Sequence, residues 1–266
     1  PFWLRPEAGG GWRYAFATDR RHTNPTGIVH GGALYSFADQ FLGHAIVYGL
    51  KRACATVKLK VEYLAAVRPG QVVEGTCEIV RATRTMAFVR GRVLAGNRAV
   101  MTADGCFKLA GALDLARLRD LPEPEPVEIG PVEPPDGFRA FRLQGGFAGF
   151  YGPMHYRREA DGSYVCGMQA TAGVDNTNGV VHGGALFAFA DDMMSRAVSA
   201  TSRRFSATIS LDAQYLAPGP LDAWLEGRAD ITRLSHGLAF VRGEVSHAGR
   251  PVLSADGIWR LFDRYD

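Results

Sequence analysis

Cysteine is scarce in this chain of 266 residues, with four in all. Cys54, Cys77, Cys106 and Cys166 include no Cys-x-x-Cys pair, and none stands beside a His or Asp at metal-ligand spacing. That argues against a structural zinc site, a dithiol redox centre or a disulfide framework. Four small, buried, reduced thiols are expected instead, as in a cytoplasmic protein. Long apolar runs are also lacking. No stretch of about 18 apolar residues occurs, so no membrane-spanning helix is expected. The opening residues, Pro1-Phe2-Trp3-Leu4-Arg5-Pro6, carry no signal-peptide pattern and no Met, so the sequence reads as starting inside a longer chain. Neither charge sign dominates. A net charge of +3 gives no reason to expect nucleic acid as a partner. There is no Gly-x-Ser-x-Gly elbow, which disfavours a serine hydrolase.

What the chain does have is a copy of itself. Residues 24–109 align without a gap on residues 176–261, at a constant offset of 152, and roughly 35 of the 86 positions are identical. The longest shared run pairs Asn24-Pro-Thr-Gly-Ile-Val-His-Gly-Gly-Ala-Leu-Tyr-Ser-Phe-Ala-Asp39 with Asn176-Thr-Asn-Gly-Val-Val-His-Gly-Gly-Ala-Leu-Phe-Ala-Phe-Ala-Asp191. Two domains follow, over 1–113 and 138–266. Between them, 114–137 is acidic and Pro-rich, the composition of an extended, semi-rigid linker. At about 3 Å per residue it could let the second copy dock beside the first. Copy two also has a lead-in, Phe138 to Gly152, whose counterpart in copy one, a lead-in helix, is missing from this numbering.

Each copy reads as β-loop-α-β-β-β-β, an α+β domain with one helix on an antiparallel sheet. The helix should start at the Gly-Gly pair. Leu34, Phe37, Ala38, Phe41 and Ala45 form the stripe facing the sheet. A second face, Gly32, Ser36, Asp39 and Gly43, is small apart from the Asp, as are Gly184, Ala188, Asp191 and Ser195. Small residues on a helix face allow a second backbone to come close.

The same residues carry a chemistry. Gly31 and Gly183 fall at helix N-termini, where N–H groups lack helical partners and the helix dipole favours negative charge. A thioester carbonyl there would find a donor for the oxyanion formed on attack. Asp39 and Asp191, on small and apolar faces, would have raised pKa values and suit a base or a nucleophile. Asn24 and Asn176 could hold a water or the carbonyl, Thr56 and Thr208 the carboxylate or the water. His30 and His182 fit either a helix cap or a proton-transfer group. Gly31 and Asp39 lie eight residues apart, about 12 Å along a helix, too far to meet at one carbon. Antiparallel helices would solve this. One site would combine Asn24, His30 and Gly31 with Asp191 and Thr208; the other would combine Asn176, His182 and Gly183 with Asp39 and Thr56.

Asn, His-Gly-Gly six residues on, an Asp nine after the His, and a Thr at the next strand together resemble the hot-dog acyl-coenzyme A thioesterases of the phenylacetate-pathway type. The resemblance spans nearly all of both copies. It implies two tandem hot-dog domains forming an intramolecular pseudo-dimer, with sheets joined edge to edge. It implies hydrolysis of acyl-CoA to a free acid and CoA, without metal or cofactor, since coenzyme A is part of the substrate. By the same analogy two such chains would pair as a homodimer. Gln40 opposite Asp192, and Phe41-Leu42 opposite Met193-Met194, would shape two different acyl pockets. Arg68, Arg81, Arg84, Arg90 and Arg233 are candidates for the CoA phosphates. Two alternatives stay open: a hot-dog dehydratase or hydratase, although no Gly-His-Phe-Pro-like sequence occurs, and a non-catalytic acyl-CoA-binding module, although neither copy has lost a motif residue.

Overall fold

The computed structural model describes residues 2–7, 11–115, 133–141, 146–176 and 178–263. Most of the Pro-rich linker expected over 114–137 lies outside the described residues. Copy one contributes β1 (Phe2–Pro6), β2 (Trp12–Ala17), the helix α1 (Gly31–Leu50), β3 (Arg52–Tyr63), β4 (Val72–Ala82), β5 (Met86–Ala95) and β6 (Arg98–Ala112). Copy two contributes β7 (Arg139–Ala140), β8 (Met154–Arg158), β9 (Tyr164–Ala170), the helix α2 (Gly183–Ser202), β10 (Phe205–Tyr215), β11 (Ala223–Leu234), β12 (Leu238–His247) and β13 (Arg250–Phe262).

The expected order is present in both copies, with one added strand at the start of copy one and two at the start of copy two. β1 pairs antiparallel with β2, and β8 with β9. All five residues of β1 are exposed, so it carries no inward–outward alternation to read. The lead-in of copy two is not a helix among its described residues. Residues 139–140 form β7 and Gly146–Phe150 a single 3-10 turn. Gly146, Gly149 and Gly152 explain this, because each glycine makes a helix costlier to order. Of the four cysteines, all free thiols, Cys166 alone is fully buried and the others are half-buried.

The thirteen strands join one sheet, β1-β2-β4-β5-β6-β3-β10-β13-β12-β11-β9-β8-β7. The two copies meet where β3 pairs antiparallel with β10, Leu59 opposite Ala213 and Val61 opposite Leu211, all four fully buried. Each strand thus covers an edge the other copy would otherwise expose. These are two hot-dog domains joined edge to edge, as the resemblance implied. Each helix lies against the strands of its own half.

The α1 stripe is buried at Leu34, Phe37, Ala38 and Phe41, but Ala45 is only half-buried. The buried face instead follows the i, i+4 ridge through Leu42 and Ile46, both fully buried. Strand glycines make room for it: a Cβ on Gly75 would stand 2.6 Å from the Phe41 ring, and one on Gly91 3.0 Å from Leu42. In copy two Gly243 leaves the same room for Met194, and Gly227 for Met193. The exchange of Phe41-Leu42 for Met193-Met194 is thus first a matter of helix-on-sheet packing; Met193 also borders a cavity.

α1 and α2 cross through their small faces. A Cβ on Gly32 would meet the Ala188 Cβ at 2.6 Å, and one on Gly184 the Ser36 Cβ at 2.8 Å. Early residues of each helix therefore face later residues of the other, which fixes an antiparallel crossing. The rings of Tyr35 and Phe187 stack beside it at 3.4 Å. The far end of the small face does not take part. Gly43 has open space where a Cβ would go, and Ser195 accepts a hydrogen bond from the Trp259 indole at 2.9 Å. Gly184→Val should therefore lower unfolding free energy by about 3 kcal/mol in urea titrations, from overpacking at the crossing. Gly43→Ala should raise it by about 0.5–1 kcal/mol, through helix propensity alone. Equal effects would show that the crossing is not tight.

Candidate active site

Each helix is launched from a tight loop. Asn24 N–H donates to the Ile28 carbonyl and Asn176 N–H to that of Val180, both at 2.8 Å. Gly27 and Gly179 close the turns at φ of +81° and +69°, a left-handed backbone that glycine adopts without strain. The Asn24 Oδ1 accepts from the Thr26 N–H at 3.0 Å and its hydroxyl at 2.7 Å; Asn176 Oδ1 accepts from the Asn178 N–H at 2.8 Å. The side-chain oxygens thus hold the loops, and the amide NH2 is the part left for a substrate.

His30 and His182 are N-caps. Each Nδ1 accepts the N–H of the second glycine, Gly32 or Gly184, at 2.9 Å. The N–H of the first glycine, Gly31 or Gly183, enters no loop or side-chain hydrogen bond among the described residues. It is a helix-terminal donor available to an oxyanion.

The carboxylates arrive from the opposite copy. Asp191 Oδ2 lies 3.1 Å from where a Gly31 Cβ would stand, and Asp39 Oδ2 lies 3.3 Å from that of Gly183. Thr208 donates its hydroxyl to Asp191 Oδ1 at 2.7 Å, and Thr56 to Asp39 Oδ1 at 2.7 Å. The structure therefore groups Asn24, His30 and Gly31 with Asp191 and Thr208, the first site. It groups His182 and Gly183 with Asp39 and Thr56, the second, with Asn176 in the loop that launches α2. Asp191 is 5% exposed. Burial pushes its pKa up to about 6, against the opposing pull of His30 and Thr208. Burial raises Asp39 likewise, against His182 and Thr56. A cavity of about 2020 Å³ opens at the first site, bordered by Asn24, His30, Gly31, Tyr63, Asp191 and Thr208.

A family model, the Thioesterase superfamily, matches residues 26–102 and again 178–254. The chain belongs to that superfamily. With that membership the enzyme class expected from the motif, a thioester hydrolase, stands. An inferred esterase of Pseudomonas aeruginosa is 32% identical over 111 residues, 41% of this chain and 83% of that protein. An inferred esterase of Caenorhabditis elegans is 33% identical over 91 residues, 34% of this chain and 54% of that protein. Among solved structures, an acyl-CoA thioesterase II of Mycobacterium marinum superposes with a TM-score of 0.68 at 12% identity, covering 99% of this chain and 96% of that one. A hot-dog protein of unknown function from Alicyclobacillus acidocaldarius gives 0.70 at 15% identity, covering 99% and 97%. These two likenesses concern the fold.

The two sites of this thioesterase are not equivalent, and the residues that separate them were not picked out as site residues from the sequence. In the first, Asp192 accepts from His30 Nε2 at 3.1 Å, and its other oxygen accepts from the Tyr151 hydroxyl. Phe147 packs on the His30 ring, with centroids 5.5 Å apart. Burial favours neutral His30, and the charge and hydrogen bond of Asp192, with Asp191 behind it, more than offset this to raise its pKa. A proton on Nδ1 would nonetheless break the Gly32 cap, so the neutral Nε2–H tautomer satisfies both neighbours. Asp192, expected to shape an acyl pocket, borders the cavity and also holds His30. In the second site the matching position is Gln40, which is exposed.

The tyrosines differ too. Tyr63 borders the first site with a buried hydroxyl that has no hydrogen-bond partner among the described residues. Its counterpart in the second, Tyr215, donates to the Gly183 carbonyl at 2.8 Å and is bonded to the Tyr35 hydroxyl at 2.7 Å. Copy two has Phe187 in place of Tyr35, so nothing ties up Tyr63 in the same way. A Tyr at the end of the β-strand in both copies was the available signal; its partner was not readable.

None of the five arginines proposed from sequence borders the cavity, and Arg90 pairs with Asp104 at 2.9 Å across β5 and β6. The cavity arginines are Arg139, Arg158, Arg196, Arg203 and Arg260. Among the described residues no group of three His, Cys, Asp or Glu side chains could hold a metal ion, and no helix is long and apolar enough to cross a membrane.

A carboxyl whose folded pKa is raised is destabilising once ionised. The apo protein should thus hold its full margin below about pH 4 and lose it as pH rises through about 6, by about 3 kcal/mol from Asp191 alone. Asp191→Asn, still able to accept from Thr208, should then unfold at higher urea than the parent at pH 7.5 and at nearly equal urea at pH 4. A gain of the same size at both pH values would contradict the buried-charge origin.

Proposed function

We propose that the chain hydrolyses acyl-coenzyme A to a free acid and coenzyme A at two composite sites, each built from both copies. The observation that carries this reading is the placement of a buried Asp of one copy against the first helical glycine of the other. In the first site the thioester carbonyl oxygen would take the Gly31 N–H, with the Asn24 amide and the Tyr63 hydroxyl near enough to add donors. Asp191, ionised and oriented by Thr208, removes a proton from a water as that water's oxygen bonds to the carbonyl carbon. The tetrahedral oxyanion collapses, the carbon–sulfur bond breaks, and the thiolate recovers the proton from Asp191. The second site would run the same steps with Gly183, Asn176, Asp39 and Thr56. Coenzyme A enters as part of the substrate, so these steps call on no cofactor. Arg139, Arg158, Arg203 and Arg260, exposed around the first cavity, are suited to its phosphates.

Pairing of mutations across copies tests the arrangement. Asp39→Ala with Asn176→Ala strikes the second site twice, and about half the thiol release from acyl-CoA should remain if the sites contribute equally. Asp39→Ala with Asn24→Ala strikes both sites, and release should fall a hundredfold or more if each group is worth roughly 3 kcal/mol. The reverse ranking would place each site within one copy. With Asp191 as base in the Asp39→Ala background, kcat/KM should rise with pH through about 6 and level off above it. A profile flat from pH 5 to 8 would remove Asp191 from that role.

A further inference from the structure

Part of the first-site cavity lies where copy one has a large side chain and copy two does not. In copy one Tyr14, fully buried, fills the space between helix and sheet, stacks on Phe41 and bonds His44 Nδ1 at 3.0 Å. The matching pair in copy two is Cys166 and Arg196. A thiol replaces a phenol, and a guanidinium replaces the imidazole that met it. The vacated space is part of the first-site cavity, which Cys166, Arg196 and Asp191 all border.

Arg196 is unlike the other cavity arginines. Arg139, Arg158, Arg203 and Arg260 are exposed, whereas Arg196 is half-buried with its Nε sealed from solvent and without a hydrogen-bond partner. Its guanidinium lies 3.6 Å over the Phe141 ring. Asp192, whose carboxyl the Arg196 charge helps hold low, spends both oxygens on His30 and Tyr151, and among the described residues Arg196 forms no ion pair within 4 Å. Phe141, Tyr156, Cys166, Met193 and Ile231, mostly apolar or small, border the same cavity. A partly desolvated guanidinium whose buried Nε–H lacks an acceptor costs stability unless a ligand supplies one. Asp191 and Arg196 are five positions apart on α2, about 7 Å of helix. An acceptor bound at Arg196 would therefore sit a short chain length from the reacting carbon.

We propose that Arg196 reads an anionic group at the far end of a short acyl chain, so that the first site prefers the thioesters of dicarboxylic acids. This rests on the thioesterase reading above. A carboxylate can take two parallel N–H bonds from a guanidinium, a charge-assisted pairing that a methyl end cannot offer. The other source of negative charge is coenzyme A itself, and the two are separable because every acyl-CoA carries the same phosphates.

The test uses adipoyl-CoA and hexanoyl-CoA, of equal chain length, in the Asp39→Asn background so that the first site is the one measured. Arg196→Met should lower kcat/KM for adipoyl-CoA by roughly 10- to 100-fold and for hexanoyl-CoA by less than about threefold, with Arg196→Lys restoring part of the loss. Equal losses on both would mean that Arg196 meets the coenzyme or only packs, and no loss on either would mean that it meets nothing; each overturns the proposal. Titration of both thioesters into Asp39→Asn/Asp191→Asn, with and without Arg196→Met, reads the same preference without turnover. If the parent protein releases thiol from neither compound, the thioesterase reading fails by itself. An adipoyl-CoA affinity unchanged by Arg196→Met would still overturn the role of Arg196.

Discussion

The close antiparallel crossing of α1 and α2 is the constraint from which the rest follows. Two helices that start with Gly-Gly can approach at Gly32–Ala188 and Ser36–Gly184 only if those positions stay small. That approach carries each helix start to the middle of the other, where the Asp stands. A helix cannot bring its own first turn to its own ninth residue, since the rise forbids it. The oxyanion donor and the carboxylate must come from different copies, and the β3–β10 pairing holds the copies in the register that makes this possible.

The same crossing sets the electrostatics. Packed helices exclude water from Asp39 and Asp191, and exclusion of water raises both pKa values. The cost is spread over neighbours. Thr56 and Thr208 each satisfy one oxygen, and the histidine caps stand close by with their rings fixed by Gly32 and Gly184. A cap that uses Nδ1 decides which nitrogen is free. At His30 that nitrogen meets Asp192, so the ring is held at both ends. A histidine cap and a proton-transfer group were alternatives in the sequence; the structure gives the cap to Nδ1 and leaves only Nε2 for anything else.

Much of this was legible because the chain is repeated. One His-Gly-Gly is weak, but two in register with a later Asp and Thr identify the same spatial grouping twice, and helix geometry alone then pairs them across copies. What could not be read depends on contacts distant in sequence. Tyr151 and Phe147 reach the first site from a glycine-rich lead-in with no helical or strand period. β1 has no buried face to alternate against. The cavity arginines lie on β7, β8, α2 and its C-terminal cap, and β13, scattered in sequence and gathered only by the fold. Ala45 fell on a helical stripe that the sheet does not follow to the end of α1.

A symmetric dimer of identical hot-dog subunits must have two identical sites, because its symmetry repeats every residue. A fused pair is free of that rule, and this chain departs from it where the sites are built. Tyr35 faces Phe187, so one site's tyrosine is tied and the other's is not. Asp192 stands where copy one has Gln40, so one histidine has a carboxylate as a hydrogen-bond partner. Cys166 and Arg196 stand where copy one has Tyr14 and His44, so copy two has cavity space where copy one is filled. Each exchange leaves the helix crossing intact, since none falls on Gly32, Ser36, Gly184 or Ala188. The backbone that makes both sites is thus held constant while the pockets attached to them diverge.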